Sequence, residues 1–79
     1  MTGTHPPAEL DVRGMLERGQ EPFMAIMSAV AALAPGQSLR LLVPFRPLPL
    51  IALMRERGYG HAIHCIEGGD FAVLFTPES

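Results

Sequence analysis

The sequence has few positive charges and only one cysteine. It carries six Lys and Arg residues, all of them Arg, against eight Asp and Glu residues, and its formal net charge is −2. Nonspecific nucleic-acid binding needs a basic face, so we expect no nucleic-acid partner. The single cysteine, Cys65, excludes an intrachain disulfide and favours a reducing, cytoplasmic setting.

Long apolar runs are also absent. The apolar stretches at 23–34 and 48–54 are too short to cross a bilayer, so we expect no membrane partner. The first ten residues contain no apolar h-region, which argues against a secretory signal. Residues 1–8, with a Pro-Pro pair, are predicted to form a disordered lead-in, and residues 9–77 a single domain.

The periodicity of the remaining chain predicts two helices and four strands. The first helix is expected to begin at Pro22 and to end before Pro35-Gly36, and its core stripe includes Phe23. The second helix is expected to begin near Pro47 and to end at Gly58. Alternating or apolar runs predict strands at 10–13, 38–43, 60–66 and 71–75, the last two joined by a hairpin turn.

The order β-α-β-α-β-β indicates an α/β (α+β) two-layer sandwich. Strands separated by helices usually pair in parallel, and a closing hairpin must be antiparallel, so the four-stranded sheet should be mixed. Two helices can cover only one face of such a sheet. We therefore expect both helices on one face and an open second face that carries Leu42 and Leu74.

Several short motifs follow one another along the chain. They are Leu10–Gly14, Glu21-Pro22-Phe23, Leu33–Leu39, Pro47–Leu50 and Arg55–Gly58. With these motifs in this order, the chain resembles the TusA-like (SirA-like) superfamily, and more closely its uncharacterised family called domain of unknown function 2249. The resemblance covers about residues 9–76 and implies the βαβαββ fold.

The resemblance also implies a site at the start of the first helix. In the sulfur carriers of the superfamily, a Cys-Pro-x-Pro motif opens this helix and its cysteine carries a persulfide. On this chain the motif falls on Gly19-Gln20-Glu21-Pro22, where only the last proline matches. Gly19 has no side chain to carry sulfur, so we do not expect the carrier function to transfer.

The loop before the first helix is still a candidate binding site. Arg13 and Arg18 flank it, and Arg46 is expected to approach from the second helix, so the loop could bind an anion or a partner's thiolate. The alternative is that Arg13 and Arg18 are solvated or paired with Glu17 and Asp11. The candidate ligand- or partner-binding residues are Arg13, Arg18, Gly19, Glu21, Pro22, Arg46 and Pro47.

His61, His64 and Cys65 suggest a metal site, but strand geometry opposes it. Side chains alternate along a strand, so His61 and Cys65 would share one face and His64 the other. Three ligands from one straight strand cannot converge on an ion, and we expect no metal and no cofactor. Cys65 is then either a small buried hydrophobe or, alternatively, a reactive thiol with a displaced sulfur-carrier role.

The first helix has no charged residue from Phe23 to Ala34. Only one stripe of it is needed for the core, whereas an ordinary surface helix carries charges on its other faces. The uncharged surface of the first helix outside its core stripe, or the open sheet face, could bind a protein partner or a second copy of the chain. The alternative is an alanine-rich face that binds nothing.

No Ser/His/Asp or paired-carboxylate spacing argues for catalysis, so we do not expect an enzyme. Our first hypothesis is a non-catalytic accessory or binding module of TusA-like shape. It would dock a protein partner, or a small anionic or thiolate group, near the start of the first helix. The alternative is a sulfur-handling protein of a sulfur-relay or redox pathway that acts in trans or through Cys65.

Overall fold

A computed structural model of the chain describes residues 5–15 and 17–78. Residues 1–4 of the predicted lead-in therefore lie outside the described residues, whereas Ala8 belongs to the first strand. A 3-10 turn, Glu67–Gly69, joins the last two strands. The order of the main elements is β1 (Ala8–Asp11), α1 (Pro22–Ala31), β2 (Leu39–Val43), α2 (Leu48–Glu56), β3 (Tyr59–Cys65) and β4 (Phe71–Pro77).

The strands form one mixed sheet in the order β1-β2-β4-β3. β1 pairs with β2 in parallel, and β4 is antiparallel to both β2 and β3. After α2 the chain enters β3 at the edge of the sheet, and the hairpin returns β4 into the position beside β2. The predicted α+β fold with a four-stranded mixed sheet is confirmed.

One face of the sheet packs against both helices. Alternate residues of β2 and β4 are buried on this face, and residues of α1 and α2 belong to the same apolar cluster. Burying a side chain of this size stabilises the fold by roughly 1.5–3 kcal/mol, which makes the cluster the main source of stability. Its buried members are Val12, Ile26, Leu39, Leu41, Val43, Leu50, Ile51, Met54, Val73 and Phe75.

The first helix begins at Pro22 as predicted but ends at Ala31, before the predicted end. The backbone N–H of Ala34 donates to Oε1 of Gln37 at 2.9 Å, so the chain turns toward β2 instead of continuing the helix. Ile26 is buried, but Phe23, which was predicted in the core stripe, is 47% exposed. Phe23 lies in the first turn of the helix.

The first strand lies two residues earlier than predicted. The backbone N–H of Arg13 donates to Oδ1 of Asp11 at 3.0 Å, which is a local side chain–backbone turn. Val12 still donates to the carbonyl of Leu42 at 3.0 Å, after which Met15 donates back to Val12 at 3.1 Å. This turn ends the ladder at Asp11.

The second face of the sheet carries charged side chains beside Leu42. Glu9 and Arg40, neighbours in the register of β1 and β2, form an ion pair there. Leu42 lies on this face as expected, but it is only 9% exposed because Asp11 and Ala72 flank it in the register. Among the described residues, no helix is long and apolar enough to cross a membrane.

Candidate functional site

An apolar cleft lies beside the start of α1, on the helix side of the sheet. Its volume is about 260 Å³. Its walls come from the end of β1, the first turn of α1 and the connection from β2 into α2. Glu21 is the single charged residue among the lining residues, which are Val12, Glu21, Pro22, Phe23, Ile26, Val43, Phe45, Pro47, Pro49 and Leu50.

Three prolines give the cleft rigid walls. Pro22 is the first residue of α1, Pro47 is the N-cap residue of α2, and Pro49 lies in the first turn of α2. Proline fixes φ near −65°, and in a first helical turn its missing N–H costs no hydrogen bond. The backbone around the cleft is therefore held in place before any ligand binds.

Two phenylalanines of the cleft lining are half exposed. Phe23 is 47% exposed and Phe45 is 45% exposed. Aromatic rings contribute large contact areas at interfaces, and both of these rings line the cleft. Sequence reasoning missed this position for both residues. The sequence does contain one signal for the position of Phe45. This large apolar residue lies in a connection between Pro44 and Pro47, and it belongs to no predicted core stripe.

Glu21 caps the first helix with its own carboxylate. Its Oε1 accepts a hydrogen bond from the backbone N–H of Phe23 at 3.3 Å. A negative charge at this position interacts favourably with the helix dipole. An anionic ligand that approached the same amide would be repelled by this carboxylate. The helix start therefore carries negative charge instead of an open anion site.

Gly19 adopts the left-handed conformation, with φ of 72°. Just before and after it, the backbone N–H groups of Arg18 and Gln20 donate to the carbonyl of Met15 at 3.1 and 2.8 Å. This is the pattern of a helical turn closed by a left-handed residue. A Cβ atom at Gly19 would meet nothing within 4 Å, but the backbone conformation would strain any L side chain, cysteine included.

The three candidate arginines do not line the cleft. Arg13 donates to Asp11 and to Asp70, which is the paired alternative that the sequence left open. Arg18 donates from Nε to Oε1 of Gln20 at 3.2 Å. The guanidinium carbon of Arg46 lies 5.6 Å from the centre of the Phe71 ring. Of the seven predicted residues, the cleft contains Glu21, Pro22 and Pro47.

Arg13 and Asp11 form an ion pair beside this loop. Hydrogen bonds from the Arg13 side chain, and then from its backbone N–H, lower the pKa of Asp11 from 3.8 to about 2. Hydrogen bonding to Asp11 raises the pKa of Arg13 in turn. Both residues stay charged at neutral pH, and each charge is paired with another residue of the same chain.

Cys65 is exposed, so the interpretation as a buried hydrophobe is wrong. It lies on β3, an edge strand, where the register places it beside Phe71 and leaves its outer side uncovered. Its own strand sequence could not reveal that edge position. Within residues 5–15 and 17–78, no group of three or more His, Cys, Asp and Glu side chains could hold a metal ion.

Comparison with known proteins identifies a family but no activity. One family model, described as "Uncharacterized conserved protein (DUF2249)", matches residues 9–77 of the chain. No curated protein and no solved structure matches it.

Proposed function

Because the chain belongs to the uncharacterized conserved protein family DUF2249, we propose that it is a non-catalytic binding module that docks a protein partner in the cleft beside α1. The cleft itself carries this proposal. Its volume of about 260 Å³ is below the roughly 300–1,000 Å³ of small-molecule pockets, and its lining is apolar except for Glu21. One large apolar side chain of a partner matches that size and chemistry.

The electrostatics favour such a side chain over a small anion or thiolate. The carboxylate of Glu21 caps the helix start and would repel a negative group. The three donor nitrogens of Arg13 are already engaged by Asp11 and Asp70. A neutral side chain of the partner therefore suits the cleft better, and a basic residue next to it would face the carboxylate of Glu21.

The rigidity of the cleft supports tight docking. Binding costs conformational entropy when side chains or loops must be ordered, and preorganised walls reduce that cost. Pro22, Pro47 and Pro49 already fix the backbone of both helix starts. Phe23 and Phe45 are half exposed and would gain contact area when a partner covers them.

The same proposal includes a TusA-like scaffold without the carrier cysteine, working in the cytoplasm. The order of strands and helices and the position of Pro22 at the start of α1 support the scaffold. The single cysteine supports the reducing setting.

Peptide selection tests the docking proposal. Displayed random peptides are selected on the purified chain, and their affinities are then measured on two variants. We expect Phe45→Ser to weaken binding about tenfold, because it removes a wall of the cleft. Leu48→Ser is the matched control, since Leu48 is 60% exposed and adjacent but does not line the cleft. Equal loss in both variants, or none in Phe45→Ser, would contradict the proposal.

The exposed thiol of Cys65 supports a second candidate, a sulfur-handling protein in a sulfur-relay or redox pathway. If Cys65 handles sulfur, its thiolate should attack inorganic polysulfide and keep one sulfur atom as a persulfide, while a polysulfide one sulfur shorter leaves. The outer sulfur should then pass to a second thiolate, which returns the Cys65 thiolate. Cys65→Ser is the control. A stable adduct that passes its sulfur to no acceptor would reject this candidate.

A further inference from the structure

The two edges of the sheet differ in how well they are protected. β1 is four residues long and carries Glu9 and Asp11, and such charges discourage pairing with another chain. β3 is seven residues long and contains no Pro, Asp, Glu, Lys or Arg. Its pairing with β4 runs without a bulge from Tyr59–Pro77 to Cys65–Phe71. Long, regular edges of this kind are templates for strand pairing.

Two backbone hydrogen bonds show which groups of β3 face outward. At one end of the ladder, Glu78 donates to the carbonyl of Gly58 at 2.8 Å, and at the other Ile66 donates to the carbonyl of Asp70 at 2.9 Å. Hydrogen-bonded residues alternate along an antiparallel strand, so the even-numbered residues of β3 face β4. The outward-facing N–H and C=O groups therefore belong to Tyr59, His61, Ile63 and Cys65.

We propose that this edge pairs antiparallel with β3 of a second copy, which joins two four-stranded sheets into one. In a two-fold dimer, if residue i of one copy faces residue j of the other, then residue j of the first copy also faces residue i of the second. Pairing all seven residues then puts Ala62 opposite Ala62, His61 opposite Ile63, and Tyr59 opposite Cys65. Every outward-facing backbone N–H of the strand then meets an outward-facing C=O of the partner strand, so all of these backbone groups are hydrogen-bonded.

The side chains also fit this register. Ala62 is exposed and small, and it occupies the two-fold axis as a non-hydrogen-bonded pair with a Cα separation of about 4.5 Å. Gly60 lies opposite His64, so the imidazole meets no opposing side chain. No like charges face each other at neutral pH. This self-complementarity is our reason for naming a second copy of the chain as the occupant of the edge.

Disulfide trapping tests the register directly. The separation expected at Ala62 lies within the roughly 4.4–6.8 Å that a disulfide spans. In a Cys65→Ser background, Ala62→Cys should oxidise to a covalent dimer. Thr76→Cys in the same background is the control, because Thr76 is exposed on the same face but one strand further in. Equal cross-linking of both variants, or none at Ala62→Cys, would overturn the proposal.

Sedimentation of the full chain tests the dimer without any cysteine. We expect a concentration-dependent mass that approaches twice 8.6 kDa. Ala62→Glu puts two carboxylates at the axis and should raise the dimer Kd about fivefold or more, with an unchanged circular dichroism spectrum. Ala52→Glu, on the exposed surface of α2, should leave the Kd unchanged. A wild-type chain that keeps the monomer mass up to its solubility limit would overturn the proposal, as would a dimer that Ala62→Glu leaves intact.

Discussion

Arg13 and Asp11 form a bidentate ion pair, with Nε 2.9 Å from Oδ1 and Nη2 2.8 Å from Oδ2. The remaining Nη1 of Arg13 donates to Oδ2 of Asp70 at 3.2 Å. Asp11 ends β1 and Asp70 precedes β4, and these two strands lie on opposite sides of β2. Arg13 therefore links two strands that are not neighbours in the sheet, which gives it a structural role.

This ion pair predicts a pH-dependent stability. The pKa of Asp11 is lowered from 3.8 to about 2 in the folded chain. A lowered carboxyl pKa stabilises the fold above pH 3.8, and the contribution is lost as the pH falls toward 2. We expect Asp11→Asn to reduce the free energy of unfolding at pH 7 by up to about 1 kcal/mol, since the pair is partly exposed.

Urea unfolding at a series of pH values checks this prediction. The difference between wild type and Asp11→Asn should shrink as the pH falls through the acidic range. Glu17→Gln, at an exposed position, serves as the control for the general loss of a charge. A difference that stays constant down to the acid limit would mean that the pair does not stabilise the fold.

The conformation of Gly19 predicts a cost for any side chain at that position. With φ at 72°, Gly19→Ala should destabilise the chain by about 1–2 kcal/mol. Gly14→Ala in the same loop is the matched control, because its Cβ would meet only the end of the flexible Arg18 side chain. Thermal unfolding measures both. If Gly19→Ala is as stable as Gly14→Ala, the turn does not need a left-handed residue.

Gly19 also shows how far the sequence could predict the site. The sequence shows a glycine where the sulfur carriers have a cysteine, but it cannot show a φ angle that depends on the hydrogen bonds from Arg18 and Gln20 to the carbonyl of Met15. The fold was predictable because apolar periodicity reflects which face of each element is buried. The cleft was not, because Phe23 and Phe45 are brought together only by the packing of α1 against the β2–α2 connection.

The N-cap of α1 predicts a measurable helix effect. Glu21 accepts from the backbone N–H of Phe23 at 3.3 Å, which is a long cap bond. Glu21→Ala should cost about 0.5–1 kcal/mol, because an orphan N–H loses its partner and the helix dipole loses a charge. Glu21→Ser should restore stability to at least the wild-type value, since serine is a preferred cap. Equal stability of all three chains in urea unfolding would show that this residue does not cap the helix.

The exposure of Cys65 predicts fast alkylation of the native chain. Iodoacetamide should modify Cys65 in native buffer at a rate within about tenfold of that in denaturant, because the thiol is accessible. Intact mass against time measures both rates. Protection of the native thiol until the chain unfolds would contradict the exposed position on β3.

A final prediction separates the residues of the fold from those of the cleft. Phe45 is 45% exposed and lies in a connection, so Phe45→Ser should change the free energy of unfolding by less than about 1 kcal/mol. Met54 is fully buried in the core, and Met54→Ala should cost about 2–5 kcal/mol, which a domain of this size can scarcely tolerate. Urea unfolding compares the two. If Phe45→Ser destabilises the chain as much as Met54→Ala does, the exposed ring serves the fold, and its position at the cleft says nothing about a partner. If Phe45→Ser leaves the stability of the chain nearly unchanged, any binding that this variant loses reports on the cleft itself.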